Sequence, residues 1–432
     1  MSLMTALYTG ASGLEGNSLE LSVVGDNIAN ANTIGFKGNR AAFADAMAQS
    51  LIGNSPNGAG QRGLGVRLQM VQRILTQGAL TNTGLNTDLA IQGNGFFVVN
   101  GSHDGSIGTY YTRAGQFTVD KDGYLVNLEG LRVQGYTADP TGALTPTTAG
   151  DLQVGNANTS PVATTNVTVR ANLQADAVAP AAAWDVNAAG ATSNFSTGTT
   201  VYDSLGNSHE VNIFYRKTGA GAWEWHAVVD GGAIDPANAG VPTEIGTGTM
   251  TFDTQGRLTA SAPGAINFTP AGANAMPFTF NFGTPLPPGT GLDGITQFAS
   301  PSAASFLNQD GHSAGDLARI TIDPKGQVVG SFTNGETRVL GQVALANFEA
   351  PDQLLRIGGN LFQTMPSAGP AVVGAPSTAD RGGIIAGALE QSNVDMAGEF
   401  IRMIAAQRGF QANAKTLNTA DQLLQELMTI KR

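Results

Sequence analysis

Beginning at Leu3, an apolar residue or a Gly/Asn recurs at alternating spacings of four and three: Leu3, Leu7, Gly10, Leu14, Asn17, Leu21, Val24, Ile28 and Ala31. The repeat is a heptad seam, the pattern of a helix that lies against another helix. Gly10, Gly13, Gly16 and Gly25 each cost a helix up to about 1 kcal/mol relative to Ala. The segment is therefore expected to order only when its seam is covered. The far end of the chain mirrors it. From Leu389 to Ile430 there is no Pro, and Phe400, Met403, Phe410, Ala414, Leu417, Leu424 and Met428 fall on the same repeat with two positions skipped. A helix of that length extends about 60 Å at 1.5 Å per residue. An amphipathic helix is usually the buried face of a globular domain, but these two seams sit at opposite chain ends, separated by a long stretch of β character. That placement predicts helices that pair with each other and with copies of the same chain.

Directly behind the first seam stands N-I-A-N-A-N-T-I-G-F-K-G, residues 27–38. Asn30, Asn32 and Gly35 suit the end of the helix and a turn of the chain. Phe36 is expected to dock against a neighbouring element after that turn.

Between the ends the periodicity changes to two. T-V-D-K-D-G-Y-L (118–125), T-F-D-T-Q-G-R-L (251–258) and T-I-D-P-K-G-Q-V (321–328) are variants of one pattern, and V-Y-D-S-L-G-N (201–207) is a looser copy. Asp opening a turn and Gly three residues later fit a type I turn closed by a left-handed Gly, hence antiparallel hairpins. Alternating runs at Val211–Tyr215 and Trp223–Val229 support the same reading. Residues 140–194 and 260–304 are rich in Ala, Thr, Gly and Pro and read as irregular boundary loops. The predicted fold class is α+β multidomain. Discontinuous terminal helices (1–30 and 384–432) form a coiled-coil-like domain, followed inward by a connector (31–70 and 366–383). An inner β domain (71–145 and 296–365) encloses an outer inserted β domain (146–295). Both are mainly antiparallel and nested one inside the other.

Composition narrows the function. A chain of 432 residues is too long for one ordinary core, and a prior of roughly 150 residues per domain suggests about three. Charged residues are only 13% and the formal net charge is −11 with no Lys/Arg cluster, so there is no electrostatic footprint for nucleic acid or anionic lipid. Cysteine is absent, which removes disulfides and thiolate metal sites. No basic n-region with an apolar h-region opens the chain, and no run is long enough for membrane insertion. The chain is expected to stay in the cytosol or to leave by a route without a cleaved signal.

Candidate chemistry fails on spacing. Gly58-Ala-Gly60-Gln-Arg-Gly63 matches the dinucleotide fingerprint in letters, but the strand before it and the helix after it are missing. His103, His209, His226 and His312 lie far apart and read as surface or hairpin residues rather than metal ligands. Asp120 and Asp122 lack the remaining ligands of a calcium loop. No G-x-S-x-G elbow is present. No catalytic, cofactor-binding or metal residue is assigned, and no enzyme is expected.

The opening A-S-G-L-E-G-N-S-L-E-L-S-V-V-G-D-N-I-A-N-A-N-T-I-G-F-K and the closing S-N-V-D-M-A-G-E-F-I-R-M-I-A-A-Q-R-G-F-Q-A-N-A-K resemble the terminal signatures of the bacterial flagellar rod and hook axial proteins. T-Q-G-A-L-T-N-T-G-L-N-T-D-L-A-I-Q-G-N-G-F-F-V-V and L-G-Q-V-A-L-A-N-F resemble the segments flanking that family's inner β domain, and V-Y-D-S-L-G-N-S-H-E-V-N-I-F-Y its outer one. Rod members lack a large central insert, so a chain of this length is similar to the hook-forming members. The resemblance implies a structural subunit that polymerises with itself into a curved hollow tube, a universal joint carrying motor torque to the filament. It also implies passage unfolded through the flagellar type III export apparatus, assembly under a hook cap protein, and contact with distal rod and hook–filament junction proteins. The location implied is the extracellular flagellum. Alternatives are a distal rod protein with an enlarged insert, or an extracellular β-rich adhesive protein with helical oligomerisation ends.

Overall fold

The computed structural model describes residues 3–46, 48–50, 61–145, 148–262, 264 and 266–430. The seam periodicity becomes an α-helix over Leu3–Ala29, and the mirrored repeat a second over Met396–Ile430. The second helix starts later than the 384 border expected from the sequence. Gly383–Ala386 and Ala388–Glu390 are instead strands, paired with Leu89–Gln92 and Leu80–Asn82. Asp395 sets the start, because its Oδ1 accepts from the Ala397 amide at 3.0 Å and satisfies one of the first-turn donors.

The chain divides into two compact units. The first comprises residues 1–157, 319–331 and 337–432, and the second residues 158–318 and 332–336. Residues 296–318 therefore belong with the inserted unit, not with the inner β region. Their strand Ala303–Gln309 pairs with Asn166–Asn172, which also takes Met276–Asn281 as a parallel neighbour. Asn166–Asn172 and Met276–Asn281 arise inside the stretches that read as boundary loops, and Ala303–Gln309 begins at the edge of one. The Ala-, Thr-, Gly- and Pro-rich sequence around them outweighed their short alternating runs, Val167-Val169-Ala171 and Phe278-Phe280.

In the second unit, Phe195–Tyr202, Ser208–Gly219, Ala222–Asp230, Pro242–Phe252 and Leu258–Ala262 form an antiparallel five-stranded meander beside that four-stranded sheet. Alternation buries Val211, Ile213 and Tyr215 with Trp223, Trp225, Ala227 and Val229, the period of two expected for a sheet with one covered face. Phe278, Phe280 and Phe282 complete this core.

The first unit holds the terminal helices and the inner sheets together. Phe96–His103 pairs with Ser106–Thr112, Arg132–Thr137 and Leu345–Asn347. The connector expected at 31–70 is largely a long antiparallel hairpin, Asn39–Asp45 against Val66–Arg73, and Val372–Gly374 within 366–383 also pairs into a sheet. Gly58–Gly60 lie outside the described residues. Gln61–Gly63 form a short strand against Ala48–Ser50.

The repeated Asp motif folds as its residues dictate. Asp120 Oδ1 accepts from the amides of Asp122 and Tyr124 at 2.9 and 2.8 Å. Asp203 does the same with Leu205 and Asn207 at 2.9 Å each, and Asp253 with Gln255 and Arg257 at 2.9 Å each. Asp323 accepts from Gln327 at 2.8 Å. The Gly of each turn is left-handed, from Gly326 at φ 74° to Gly206 at 86°. Asp139 and Gly142 build a further copy inside a segment that read as loop. One of the histidines departs from the surface reading. His226 is buried, with Nδ1 2.8 Å from Glu244.

Candidate assembly interface

The terminal helices lie against each other antiparallel, and small residues set how closely. A methyl group added at Gly10 would sit 3.9 Å from Leu417, one at Gly13 would lie 2.5 Å from the Asn413 amide, and one at Gly409 would lie 2.6 Å from Asn17. The sequence presents these glycines as weak points of isolated helices. Between the helices Gly13 and Gly409 make room for the Asn413 and Asn17 side-chain amides of the facing helix, while a methyl at Gly10 would reach only ordinary contact. The seam thus mixes Leu with Gly and Asn, and Gly13, Gly409 and Asn413 are the contact residues that apolar periodicity missed. Their signal was the Gly409–Asn413 spacing of four facing Gly13 and Asn17.

Of the apolar seam residues, Val24 is buried, and Leu7, Leu14, Leu21, Ile28, Met403, Leu417 and Leu424 are half-buried. Phe400 and Phe410 stay 47% and 40% exposed. The side chains of Leu3 and Met428 lie outside the described residues. Covering one flank of the C-terminal helix leaves another apolar. Ile401 is 68% exposed and Ile404 50%, well beyond what a helix of a finished globular core shows.

Where the first helix ends, the chain is locked to distant segments. Asn30 donates from its backbone to the Asp26 carbonyl at 3.1 Å and from its side chain to the same carbonyl at 2.9 Å. Asn32 is exposed in the turns that follow. Gly35 does not cap the helix. At φ 70° it turns the chain against residues 113 and 114, where a side chain would meet backbone atoms 2.7 Å away. Phe36 is 3% exposed beneath the Arg356 guanidinium, 4.9 Å from its ring centre, and Arg356 reaches Asp26 at 2.9 Å.

Behind Phe36 lies a buried charge cluster that no motif announced. Lys37 Nζ donates to Glu390 Oε1 at 2.6 Å and to the Thr76 carbonyl at 2.8 Å. Arg113 donates to Glu390 Oε2 at 3.1 Å. Burial pushes the Lys37 ammonium down, and its hydrogen bond to Glu390 works against that. Glu390 and Asn393 accept from the Gly35 and Gly38 amides through a backbone carbonyl and a side-chain oxygen. The segment leaving one helix is therefore stitched to the segment entering the other. Among the described residues no group of three or more His, Asp or Glu side chains converges as a metal site, and no helix is long and apolar enough to cross a membrane.

The same pieces of chain match known family models. Residues 7–37 match the flagella basal body rod protein model and residues 385–430 the flagellar basal body rod FlgEFG protein C-terminal model. Residues 90–177 match the flagellar hook protein FlgE/F/G D1 domain and residues 172–312 the flagellar basal body protein FlaE D2 domain. The flagellar hook protein FlgE of Borreliella burgdorferi is 36% identical, over 99% of this chain and 100% of that protein. The chain belongs to the flagellar hook protein FlgE family. The FlgE proteins of Salmonella typhimurium (36% identical, over 97% of this chain and 98% of theirs) and Escherichia coli (35%, over 99% and 100%) extend the likeness. In this FlgE-family chain the rod-type match runs through Phe36 and Lys37, so it takes in the exit turns as well as the helix. The FlaE D2 match ends at 312, inside the inserted unit that the fold delimits.

Proposed function

We infer that the chain is the structural subunit of the flagellar hook, polymerising with copies of itself into a curved hollow tube that carries motor torque to the filament as a universal joint. Leu3, Leu7, Leu14, Leu21, Val24, Ile28, Phe400, Met403, Phe410, Leu417, Leu424 and Met428 line the helical seams of the inner tube. Asn30, Asn32, Gly35 and Phe36 carry the chain from that tube to the β regions outside it. The observation that carries this reading is the apolar flank of the C-terminal helix, left open after the two helices have paired. Full-length likeness to hook proteins favours this reading over the rod-type and adhesive ones.

The subunit travels unfolded through the type III export apparatus without a cleaved signal and is placed under a hook cap protein. Its polymer joins distal rod proteins at one end and junction proteins at the other. A joint that bends while rotating needs outer contacts that exchange cheaply. Few charges and many small polar residues supply such contacts, since ion pairs and large aromatic anchors would fix one register. No catalytic step is involved.

Deleting residues 1–30 is expected to abolish polymerisation while Trp184, Trp223 and Trp225 keep the fluorescence of a folded inserted unit. Tubes seen by electron microscopy from the truncated protein would sink the reading.

A further inference from the structure

Resting on that reading, the helical region shows two unlike surfaces on different sides of the C-terminal helix. One is a groove of about 370 Å³ between the two helices and the hairpin strand that begins at Val66, lined by Gly13, Gly16, Ala405 and Ala406. Glu20 and Arg402 stand at its edge. Glu399 lies one turn along, 7% exposed, and gives one carboxylate oxygen to Arg402 at 3.1 Å while its Oε2 is buried without a partner. Desolvation pushes the Glu20 carboxyl up, with Arg402 opposing and Glu399 adding to the rise. Arg402 is paired with Glu399, and among the described residues Glu20 has no ion pair, so the edge of the groove is short of a positive charge.

The other surface is the stripe Ile401, Ile404 and Arg408. At about 100° per residue, these positions lie on one face, centred roughly 120° around the helix from the groove residues and opposite the contact with the N-terminal helix. Among the described residues, Ile401 and Ile404 are the most exposed large apolar residues of this helix. Among the described residues Arg408 has no hydrogen-bond or ion-pair partner within the chain. The stripe offers what the groove lacks: branched apolar side chains to fill the space over Gly and Ala beside Phe43 and Val66, and a cation for the Glu20 carboxylate.

We propose that the groove beside Gly13, Gly16 and Glu20 receives the Ile401–Ile404–Arg408 stripe of a second copy of this chain, with Arg408 reaching the Glu20 carboxylate at its edge. Because donor and acceptor surfaces differ and point in different directions, the contact is heterologous. Each copy that docks leaves a free stripe and a free groove, and the assembly grows as an open helical array. A self-complementary patch would have closed into a dimer.

The test is a charge exchange in the full-length chain. Arg408→Glu and Glu20→Lys are made singly and together, with helicity and melting temperature checked on the monomers. Polymerisation is followed by light scattering and electron microscopy against protein concentration. Each single variant is expected to raise the concentration needed for polymerisation about tenfold or more, and the double variant to return to within about threefold of the unmodified chain. Ile404→Ser, which touches no charge, is expected to weaken polymerisation without rescue by Glu20→Lys. Single variants that polymerise like the unmodified chain overturn this contact and leave the hook reading standing. So does a double variant no better than the singles. An unmodified chain that forms no tubes at all overturns the hook reading itself.

Discussion

Lys37 Nζ and Glu390 Oε1 stand 2.6 Å apart although 353 positions separate the two residues. Their side chains are 1% and 0% exposed. The pair joins the end of the chain's first helix to the approach to its last.

Glu390 also accepts from the Gly78 amide at 2.9 Å and from Arg113. Glu390→Gln leaves two buried cations facing a neutral amide, a change expected to cost about 3–5 kcal/mol. Lys37→Met keeps the Glu390–Arg113 pair and is expected to cost less, on the order of 1–3 kcal/mol. The tryptophans all lie in the inserted unit, and the long helices in the other. Urea unfolding followed at 222 nm should therefore shift while the tryptophan transition stays in place.

Glycines in and after the first helix are expected to respond in opposite directions. Gly35→Ala puts a Cβ on a residue at φ 70° against backbone 2.7 Å away, so a loss of about 2 kcal/mol or more is expected. Gly25 is helical with nothing within 4 Å of an added methyl, and Gly25→Ala is expected to gain up to about 1 kcal/mol. The helical transition in urea measures both.

The amides at the junction depend on two asparagines. Asn393 Oδ1 accepts from the Gly38 amide at 2.8 Å, and Asn27 Oδ1 from the Asn39 amide at 2.8 Å. Asn393→Ala should speed hydrogen exchange at Gly38 and spare Asn39, whereas Asn27→Ala should do the reverse. Each deletion orphans a backbone donor and is expected to cost about 1–3 kcal/mol.

Asp203 makes the inserted unit sensitive to acid. Burial alone pushes its carboxyl up, but His209, the Asn207 side chain and the amides of Asn207 and Leu205 more than offset it and hold it at about 2, below the ordinary 3.8. A depressed carboxyl favours the folded state above the ordinary value, and that contribution is lost as pH falls from 3.8 through about 2. Between pH 5 and pH 2.5 the tryptophan-monitored stability of the unmodified chain should fall more than that of Asp203→Asn. The expected difference is on the order of 1–2 kcal/mol.

Local rules made much of this chain legible. Heptad spacing marked both terminal helices, and alternation marked the tryptophan strands. The Asp–Gly motif wrote its own hairpins, because an Asp oxygen reaches the amides two and four residues on whatever the rest of the chain does. Asn166–Asn172 and Met276–Asn281 escaped, because their few alternating apolar positions sit within long Ala-, Thr-, Gly- and Pro-rich stretches that read as loop.

The sequence by itself determined that both chain ends are helical, where the Asp–Gly hairpins turn, and its family, through ordered terminal motifs tens of residues long. Only the tertiary structure decided that Gly13 and Gly409 are contact points instead of weaknesses, because a glycine's role depends on what comes within a few ångströms of its missing side chain. The tertiary structure alone also joined Lys37, Arg113 and Glu390. Each is an ordinary charged residue in its own neighbourhood, and a cluster assembled across 353 positions leaves no local pattern to read.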